Sequence, residues 1–290
     1  MSNQKSKLGI IAGGGELPFR LASSATNEGR EVVVVGIKGF AEQKLLEQFD
    51  SSVCSIGEVG KVLRILTSAN VADVCFAGIV RRPDFKSLKV DRKGLMLLPR
   101  VVQAASKGDD ALLSVLVKVM EEAGLNVVGA DDVLGSLLAP QGNLTESGPS
   151  SETEWKDLKK AAEVAAEIGR LDIGQGAVVC RGLVLSVEAQ EGTDLMLMRC
   201  AELSPELRGT PSSKSGVLVK RPKPNQERRI DLPTIGVKTV EGAAKAGLVG
   251  IGVEAGAALV MDSEVVIQVA KQHDIWIYAF DPSELDKIES

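Results

Sequence analysis

The sequence predicts an α/β protein of two domains, with a parallel sheet in its N-terminal domain and a second, distinct α/β C-terminal domain. Its 290 residues are too many for one typical domain of about 150. The first half alternates short β-branched runs with helical patterns, which is typical of a doubly wound parallel sheet. The stretch 140–153 is poor in apolar residues and rich in Gly, Pro and Ser. We therefore place domains at 1–140 and 155–290 and a linker at 141–154.

The first domain begins with a strand, a glycine turn and a helix. Lys7–Ala12 is apolar enough for a buried strand, and Gly13–Gly15 follows as the turn. Leu17–Asn27 has helical spacing, and Pro18 is tolerated in the first turn. The later elements of this domain are expected to be strands at Glu31–Val35, Asp73–Ala77 and Asn126–Val128 and helices at 57–69 and 109–123.

The second domain begins with a helix and then a hairpin. Gly176–Cys180 and Leu183–Ala189 read as strands around the turn Arg181–Gly182. Thr193 is expected to cap a helix that runs to about Leu203. The other elements predicted in this domain are helices at Trp155–Ile168, Thr239–Ala246 and Ser263–Gln272 and strands at Gly216–Val219, Leu248–Val253 and Ile275–Ala279.

The composition excludes several classes of function. The 34 basic and 39 acidic residues leave a net charge of −5, which argues against a nucleic-acid partner. A single histidine, His273, excludes Ser-His-Asp, Cys-His and multi-histidine metal sites within one chain. The four cysteines are widely spaced without a C-x-x-C pair, so we interpret them as small buried residues in a reducing compartment. Any chemistry must come from carboxylates, hydroxyls, lysines or a hard metal ion.

No targeting or membrane-spanning segment is predicted. The N-terminus lacks the apolar core of a signal peptide, and no run approaches about 18 apolar residues, so we expect a cytoplasmic protein. The apolar run 95–98, beside Lys93 and Arg100, has two interpretations. It could contact acyl chains, and a buried helix segment explains it equally well.

The glycine turn suggests an anion site at the carboxyl edge of the predicted sheet. Backbone N–H groups and the positive end of a helix meet there, which suits a phosphate. The spacing lacks the third glycine of a dinucleotide fingerprint, and Gly36-Ile37-Lys38 stands where an NAD site has an acidic residue. Both departures disfavour an NAD-dependent oxidoreductase. A tight turn without any ligand remains the alternative.

Three acidic side chains gather after the predicted hairpin. Glu188, Glu191 and Asp194 supply hard oxygen ligands of the kind that a divalent cation prefers. The alternative is that Thr193 and Asp194 only cap the helix and complement its dipole.

A basic strip is followed by a single aspartate. Residues 220–229 carry five basic side chains and one acid, and Asp231 comes directly after Ile230. Phosphoryl chemistry needs this combination, because cations neutralise phosphate oxygens while a carboxylate holds a metal ion or orients water. A solvated charged loop is the alternative, and the apolar context of Asp231 argues against it.

Six motifs occur together in one order. They are I-I-A-G-G-G-E-L-P at 10–18, A-G-I-V-R-R-P at 77–83, G-D-D at 108–110, V-E-A-Q-E-G-T-D at 187–194, K-R-P-K-P-N-Q-E-R-R-I-D-L-P-T-I-G at 220–236 and V-E-A-G at 253–256. The ordered set resembles the LpxI family, the UDP-2,3-diacylglucosamine pyrophosphatases of lipid A biosynthesis, over nearly the whole chain.

The resemblance implies a magnesium-dependent hydrolase that converts UDP-2,3-diacylglucosamine to UMP and 2,3-diacylglucosamine 1-phosphate (lipid X). It also implies a Rossmann-like N-terminal domain, an α/β C-terminal domain and a homodimer, and the lipid substrate suggests peripheral contact with the inner membrane. Asp231 matches the catalytic aspartate, and Glu188 and Asp194 follow as further catalytic acids; the same three are the candidate Mg²⁺ ligands. A nucleotide- or sugar-binding regulatory module without turnover is the alternative.

Substrate-binding residues follow from their positions in the motifs. Lys220, Lys223 and Arg228 would stabilise charge on the diphosphate. Glu227 is a departure, since an aspartate is expected there. The remaining substrate-binding candidates are Gly13, Gly14, Gly15, Leu17, Pro18, Gly78, Arg81, Asp110, Gln226, Thr234, Gly236 and Glu254.

Overall fold

The computed structural model describes residues 6–81, 83–84, 88–224 and 227–288, which form two compact units. The first unit runs to Gly135 and also contains Glu227–Asp231. The second comprises the rest of the described chain from Ser136 onward. The division therefore lies before the boundary predicted at 140. Part of the segment predicted as a linker, Gly142–Asn143, is a strand of the second unit.

The first unit contains the predicted parallel sheet. Its five strands have the order β3-β2-β1-β4-β5, and every pair is parallel. All five residues of β1 are buried, as a central strand covered on both faces requires. The strands are β1 (Leu8–Ala12), β2 (Val32–Ile37), β3 (Ser51–Cys54), β4 (Asp73–Ala77) and β5 (Asn126–Val127).

Helices follow the strands of this sheet in turn. Two of them, α2 and α6, were not predicted, and α4 contains the apolar run 95–98, for which a helix was one of two interpretations. The α4 helix packs against α3 and α5. The helices are α1 (Leu17–Asn27), α2 (Gln43–Gln48), α3 (Val59–Ser68), α4 (Arg92–Ala105), α5 (Asp109–Glu122) and α6 (Ala130–Val133).

The second unit is built on a mixed sheet of six strands in the order β6-β13-β11-β9-β7-β8. Strands β9, β11 and β13 are parallel neighbours, whereas β6, β7 and β8 pair antiparallel. A separate two-stranded sheet joins β10 to β12. The strands are β6 (Gly142–Asn143), β7 (Gly176–Cys180), β8 (Leu183–Val187), β9 (Val217–Lys220), β10 (Thr234–Ile235), β11 (Gly250–Glu254), β12 (Leu259–Val260) and β13 (Trp276–Phe280).

The predicted hairpin is confirmed. Arg181 and Gly182 join β7 to β8 with φ angles of 51° and 76°, which is the backbone that a two-residue hairpin turn requires. The predicted cap at Thr193 is wrong, because Glu191 occupies the N-cap of α8 and Thr193 lies in the first turn. The helices of the second unit are α7 (Glu152–Arg170), α8 (Gly192–Ala201), α9 (Val237–Lys245), α10 (Ser263–Gln272) and α11 (Pro282–Leu285).

Each unit has its own hydrophobic core. The first unit's core lies on the β1–β2–β4 sheet, and the second unit's sheet is covered by separate clusters that include Leu158 of α7 and Val240 of α9. All four cysteines are buried and free, as the sequence predicts. His273 is the C-cap of α10, directly after the predicted helix Ser263–Gln272. Within the described residues, no helix is both long and apolar enough to cross a bilayer.

Candidate active site

The glycine turn after β1 uses its backbone groups to join two strands. Gly13 N–H donates to the carbonyl of Ala77 at 2.8 Å, and Gly14 N–H donates to that of Ile79 at 2.9 Å. Ile79 N–H returns a bond to the Gly14 carbonyl at 2.9 Å. These two N–H groups are therefore already engaged, which corrects the expectation that the turn presents them to a phosphate. Substrate contact by Gly13, Gly14 and Gly15 stays a prediction.

Close approach of two backbones explains why glycine is required here. A Cβ on Gly13 would lie 2.6 Å from the carbonyl oxygen of Ile79. Gly78 has a φ of +86°, and a Cβ there would lie 2.5 Å from the Gly14 carbonyl oxygen and 2.9 Å from Pro18 Cγ. Gly13, Gly78 and Pro18 are thus brought together at the carboxyl ends of β1 and β4, where ligands bind in sheets of this kind.

An apolar cavity of about 390 Å³ opens beside these strand ends, within the first unit. Its size suits a small-molecule ligand. Asp231 is the only titratable residue on its described wall, and the rest of the wall is apolar. The lining residues are Ile11, Ile37, Ile56, Val59, Val62, Phe76, Ala77, Gly78, Ile79, Val80, Leu113, Leu116, Met120, Ile230 and Asp231.

A short turn holds Asp231 on this wall. The N–H groups of Ile230 and Asp231 donate to the Glu227 carbonyl at 3.0 and 3.1 Å. The Ile230 side chain packs against the core of the first unit, so the turn is anchored there. Asp231 itself is half-buried. The predicted catalytic carboxylate is therefore accessible and borders an apolar cavity. It belongs to the first unit, although its position in the sequence predicted the C-terminal domain.

Glu227 stabilises this turn. Arg229 Nε donates to Glu227 Oε1 and Arg229 Nη2 donates to Oε2, each at 2.8 Å. Arg229 Nη1 also pairs with Glu121 Oε1 of α5 at 2.9 Å. These hydrogen bonds from Arg229 lower the pKa of Glu227, and the same bonds to Glu227 and Glu121 raise the pKa of Arg229. Sequence reasoning missed Glu121, because its partner lies 108 residues away.

Two predicted diphosphate cations of the second unit have internal partners. Lys220 is 5% exposed, and its Nζ donates to the carbonyl of Thr234 at 3.0 Å. Lys223 Nζ pairs with Asp172 Oδ1 at 2.5 Å. Within this unit, both ammonium groups are therefore used to join chain segments. Contact of Lys220 and Lys223 with the diphosphate stays a prediction.

Glu254 and Arg228 differ in their surroundings. Glu254 accepts hydrogen bonds from Arg221 Nε and Nη2 at 3.0 and 2.9 Å. This predicted substrate-binding residue therefore forms an ion pair with an arginine of the basic strip 220–229. Arg228 is exposed and forms no ion pair with the part of the chain that the structure describes. It lies in the same turn as Asp231. Arg228 is therefore the cation of the strip best placed to meet an anionic ligand.

Glu188 has an unusual environment in the second unit. It is 6% exposed, and its Oε1 accepts a hydrogen bond from Thr193 Oγ1 at 2.9 Å. Its Oε2 is buried without a partner among the described residues. Gly176 makes room for this carboxylate, since a Cβ there would lie 2.7 Å from Oε2. A buried carboxylate oxygen without a partner is a candidate for a ligand, a proton or a metal ion.

The three predicted metal ligands are divided between the two units. Asp231 belongs to the first unit, whereas Glu188 and the exposed Asp194 belong to the second. Across the described ranges, no group of three His, Cys, Asp or Glu residues could hold a metal ion. Shared ligation of Mg²⁺ by Asp231, Glu188 and Asp194 stays a prediction. Mg²⁺ often takes just one or two carboxylates and fills its shell with substrate phosphates, and Asp231 fits that mode.

The remaining predicted residues are spread over both units. Leu17 lies in the first turn of α1 and Asp110 in that of α5. Arg81 is exposed after β4. Thr234 starts β10, and Gly236 is the N-cap of α9. Gln226 lies outside the described residues.

Two protein-family models match this chain, one in its N-terminal half and one in its C-terminal half. The LpxI N-terminal domain family matches residues 7–137, and the LpxI C-terminal domain family matches residues 140–278. The UDP-2,3-diacylglucosamine pyrophosphatase LpxI of Caulobacter vibrioides is 49% identical over 278 residues, which are 96% of this chain and 99% of that protein.

Solved structures give a much weaker likeness. The Bordetella bronchiseptica enzyme WbmG in complex with NAD matches with a TM-score of 0.30 and 18% identity, over 43% of this chain and 36% of that chain. UDP-glucose-4-epimerase (galE) from Stenotrophomonas maltophila matches with a TM-score of 0.27 and 12% identity, over 42% of this chain and 35% of that chain. Scores this low carry no argument about this protein.

Proposed function

The chain belongs to the LpxI family, and from that membership we propose that it hydrolyses UDP-2,3-diacylglucosamine to UMP and 2,3-diacylglucosamine 1-phosphate (lipid X). The observation that carries the proposal is Asp231, a carboxylate on the wall of an otherwise apolar cavity. In this substrate the acyl group at position 2 is next to the carbon that bears the diphosphate. A reacting carboxylate beside an apolar cavity suits a substrate whose diphosphate and acyl group are on neighbouring carbons.

Asp231 orients the attacking water and accepts its proton. The water oxygen bonds to one phosphorus of the diphosphate, and the bond from that phosphorus to the bridging oxygen breaks. The bridging oxygen leaves on the other phosphate, so each product carries one phosphate. Attack at either phosphorus gives the same two products, and only the position of the new oxygen differs.

Arg228 supplies positive charge beside this carboxylate. It is exposed, lies in the same turn as Asp231 and forms no ion pair within the described chain. A guanidinium can bind two phosphate oxygens at once. We assign it to the diphosphate, where it stabilises the charge that develops on the leaving phosphate.

Magnesium is part of the proposal, with Asp231 as its first protein ligand and diphosphate oxygens among the others. When bound, Mg²⁺ would neutralise phosphate charge and favour the ionised form of a bound water. Glu188 and Asp194 remain proposed catalytic acids and ligands from the second unit. Glu188 is the stronger candidate of these two, because its buried Oε2 has no partner among the described residues whereas Asp194 is exposed.

The cavity is proposed to hold an acyl chain. The described part of its wall is apolar apart from Asp231, and an acyl chain entering it would leave water for apolar surface. The homodimer and the cytoplasmic location, both expected from the sequence, stay part of the proposal. They affect neither the assignment of Asp231 nor that of the cavity.

Hydrolysis in oxygen-18 water, with and without Mg²⁺, tests the proposal. We expect UMP release from the UDP-lipid only with the metal ion, and one product phosphate labelled with oxygen-18. Mass spectrometry of UMP and of the lipid product identifies the phosphorus that was attacked. A nucleotide- or sugar-binding module would return the substrate intact, and that result would overturn the proposed reaction.

A further inference from the structure

We propose that α4 is a membrane-docking helix that lies flat on an anionic phospholipid bilayer. This inference does not depend on the reaction proposed above. It rests on the exposed apolar face of α4, on the cations beside that face, and on the charge of the chain around it. The peripheral membrane contact expected from the lipid substrate is thereby placed on the exposed face of α4, in the first unit.

The outer face of α4 presents large apolar side chains, with the exposed polar residues Arg92 and Gln103 among them. Leu95 is 61% exposed and Met96 71% exposed, and Val102 is 45% exposed one to two turns later. Pro99 is also exposed and falls between them at helical spacing. The opposite face is occupied by Gly94, Ala104 and Ala105, which are buried in the first unit. The interpretation of the run 95–98 as a buried helix segment therefore holds only in part, because Leu97 and Leu98 are half-buried whereas Leu95 and Met96 are exposed.

Cations border this face on one side. Lys93 and Arg100 are seven residues apart and lie on the same side of α4, and Lys107 lies in the turn that follows the helix. Lys93 and Lys107 are exposed, whereas Arg100 pairs with Glu122 at 2.8 Å. No acidic residue occurs within α4 itself. An apolar face flanked by exposed lysines is the arrangement of helices that bind membrane surfaces.

The charge of the surrounding segment is opposite to that of the chain. The described residues between 81 and 107 include six basic and two acidic side chains, a formal charge of +4. The chain as a whole carries −5, so the remainder carries −9. A positively charged segment on an otherwise negatively charged protein turns toward the surface of an anionic bilayer.

An anionic bilayer matches this surface better than other partners. Two copies related by a two-fold axis would place like cations around the same small patch. The helix has 14 residues and is about 21 Å long, so its face is far smaller than the roughly 800 Å² per partner of a stable interface. A nucleic acid would leave the exposed Leu95 and Met96 without a partner. A bilayer accepts both the apolar side chains and the lysines.

Vesicle flotation of the whole protein tests this proposal without substrate. The probes are vesicles of phosphatidylethanolamine with about 30% phosphatidylglycerol, and vesicles of phosphatidylcholine alone. We expect the wild type to float with the first and not with the second, and to be released at about 0.5 M salt. The double variant Leu95→Gln/Met96→Gln should float at least about 10-fold less, a loss consistent with removing two exposed apolar side chains.

Leu195→Gln/Met198→Gln is the matched control. These two residues are 50% and 59% exposed on α8 of the second unit, and this variant should float like the wild type. Both double variants should release UMP at the wild-type rate from detergent-dispersed substrate, which separates docking from the reaction. The proposal is overturned if wild type fails to float, or if Leu95→Gln/Met96→Gln floats as well as wild type. Equal loss in the control, or a fall in oligomeric mass for the α4 variant, would also overturn it.

Discussion

Arg229 binds both carboxylate oxygens of Glu227, with two N–H···O bonds of 2.8 Å each. The Glu227 carbonyl in turn accepts the N–H of Asp231 at 3.1 Å. One residue therefore fixes the turn through its side chain and the proposed catalytic residue through its backbone. The family resemblance led us to expect aspartate at this position, and the glutamate found there pairs with Arg229.

Glu227→Gln should weaken the acid-dependent loss of stability. Its hydrogen bonds from Arg229 lower the pKa of Glu227 in the folded protein. Its stabilising contribution is thus complete above the unfolded pKa of about 4.3 and is lost as the pH falls through the lower folded pKa. Urea denaturation at about pH 6 and about pH 3 measures the free energy of unfolding of both proteins. Between these pH values, we expect the loss of this free energy to be about 1 kcal/mol smaller in the variant than in wild type.

Glu167→Gln serves as the control for that measurement. Glu167 also pairs with an arginine, Arg170, but its side chain is 69% exposed. This variant should follow the wild-type pH dependence, since an exposed pair contributes little. Parallel curves for Glu227→Gln and wild type would contradict the role given to Glu227.

Asp231→Asn should remove nearly all UMP release and leave the fold intact. The amide is nearly isosteric with the carboxylate, and Asp231 is only half-buried, so thermal unfolding should stay close to wild type. We expect kcat to fall by about 10³-fold, the scale of losing one electrostatic contribution to a transition state. Glu188→Gln and Asp194→Asn, assayed in parallel, report whether the second unit contributes acids. Turnover within a few-fold of wild type for Asp231→Asn would refute its assignment.

Arg228→Ala should weaken catalysis without affecting folding. A hydrogen bond to a charged group contributes about 1.5–3 kcal/mol, so kcat/KM should fall by about 10- to 100-fold. Arg64→Ala is the matched control, since Arg64 is another exposed arginine of the first unit, on α3. Equal effects of the two substitutions on UMP release would show that Arg228 does not meet the diphosphate.

Leu116→Trp should discriminate between substrates by acyl length. Leu116 lines the cavity, and an indole there would occupy space proposed for the acyl chain. We expect kcat/KM for the natural long-chain substrate to fall about 10-fold relative to a short-chain analogue. Lys118→Trp, on the exposed side of α5, should leave that ratio unchanged. An unchanged ratio in both variants would place the acyl chain elsewhere.

The cysteines should be inert in the native protein. Burial raises the pKa of the Cys75 thiol to about 12 and that of Cys200 to about 11, so almost no thiolate is present at pH 8. We expect no reaction with a disulfide reagent under native conditions and four reacting thiols after denaturation in urea. A fast-reacting thiol in the folded protein would contradict the described burial.

Local pattern alone was enough to predict much of the fold. The bounds predicted for α1, α10 and β7 are those observed, because continuous apolar runs, helical periodicity and flanking glycines act over a few residues. The parallel first sheet followed from the same alternation. The motif set also identified the family, since ordered residue types are read directly from the chain.

Only the tertiary structure decided which of those residues work together. Glu227–Asp231 belongs to the first unit, although it lies deep in the second half of the sequence. Lys220 and Lys223 are engaged internally, while Leu95 and Met96 face outward. The physical reason is the same in each case: partners such as Glu121 and Arg229 are 108 residues apart, and periodicity cannot show which face of an element another segment will cover.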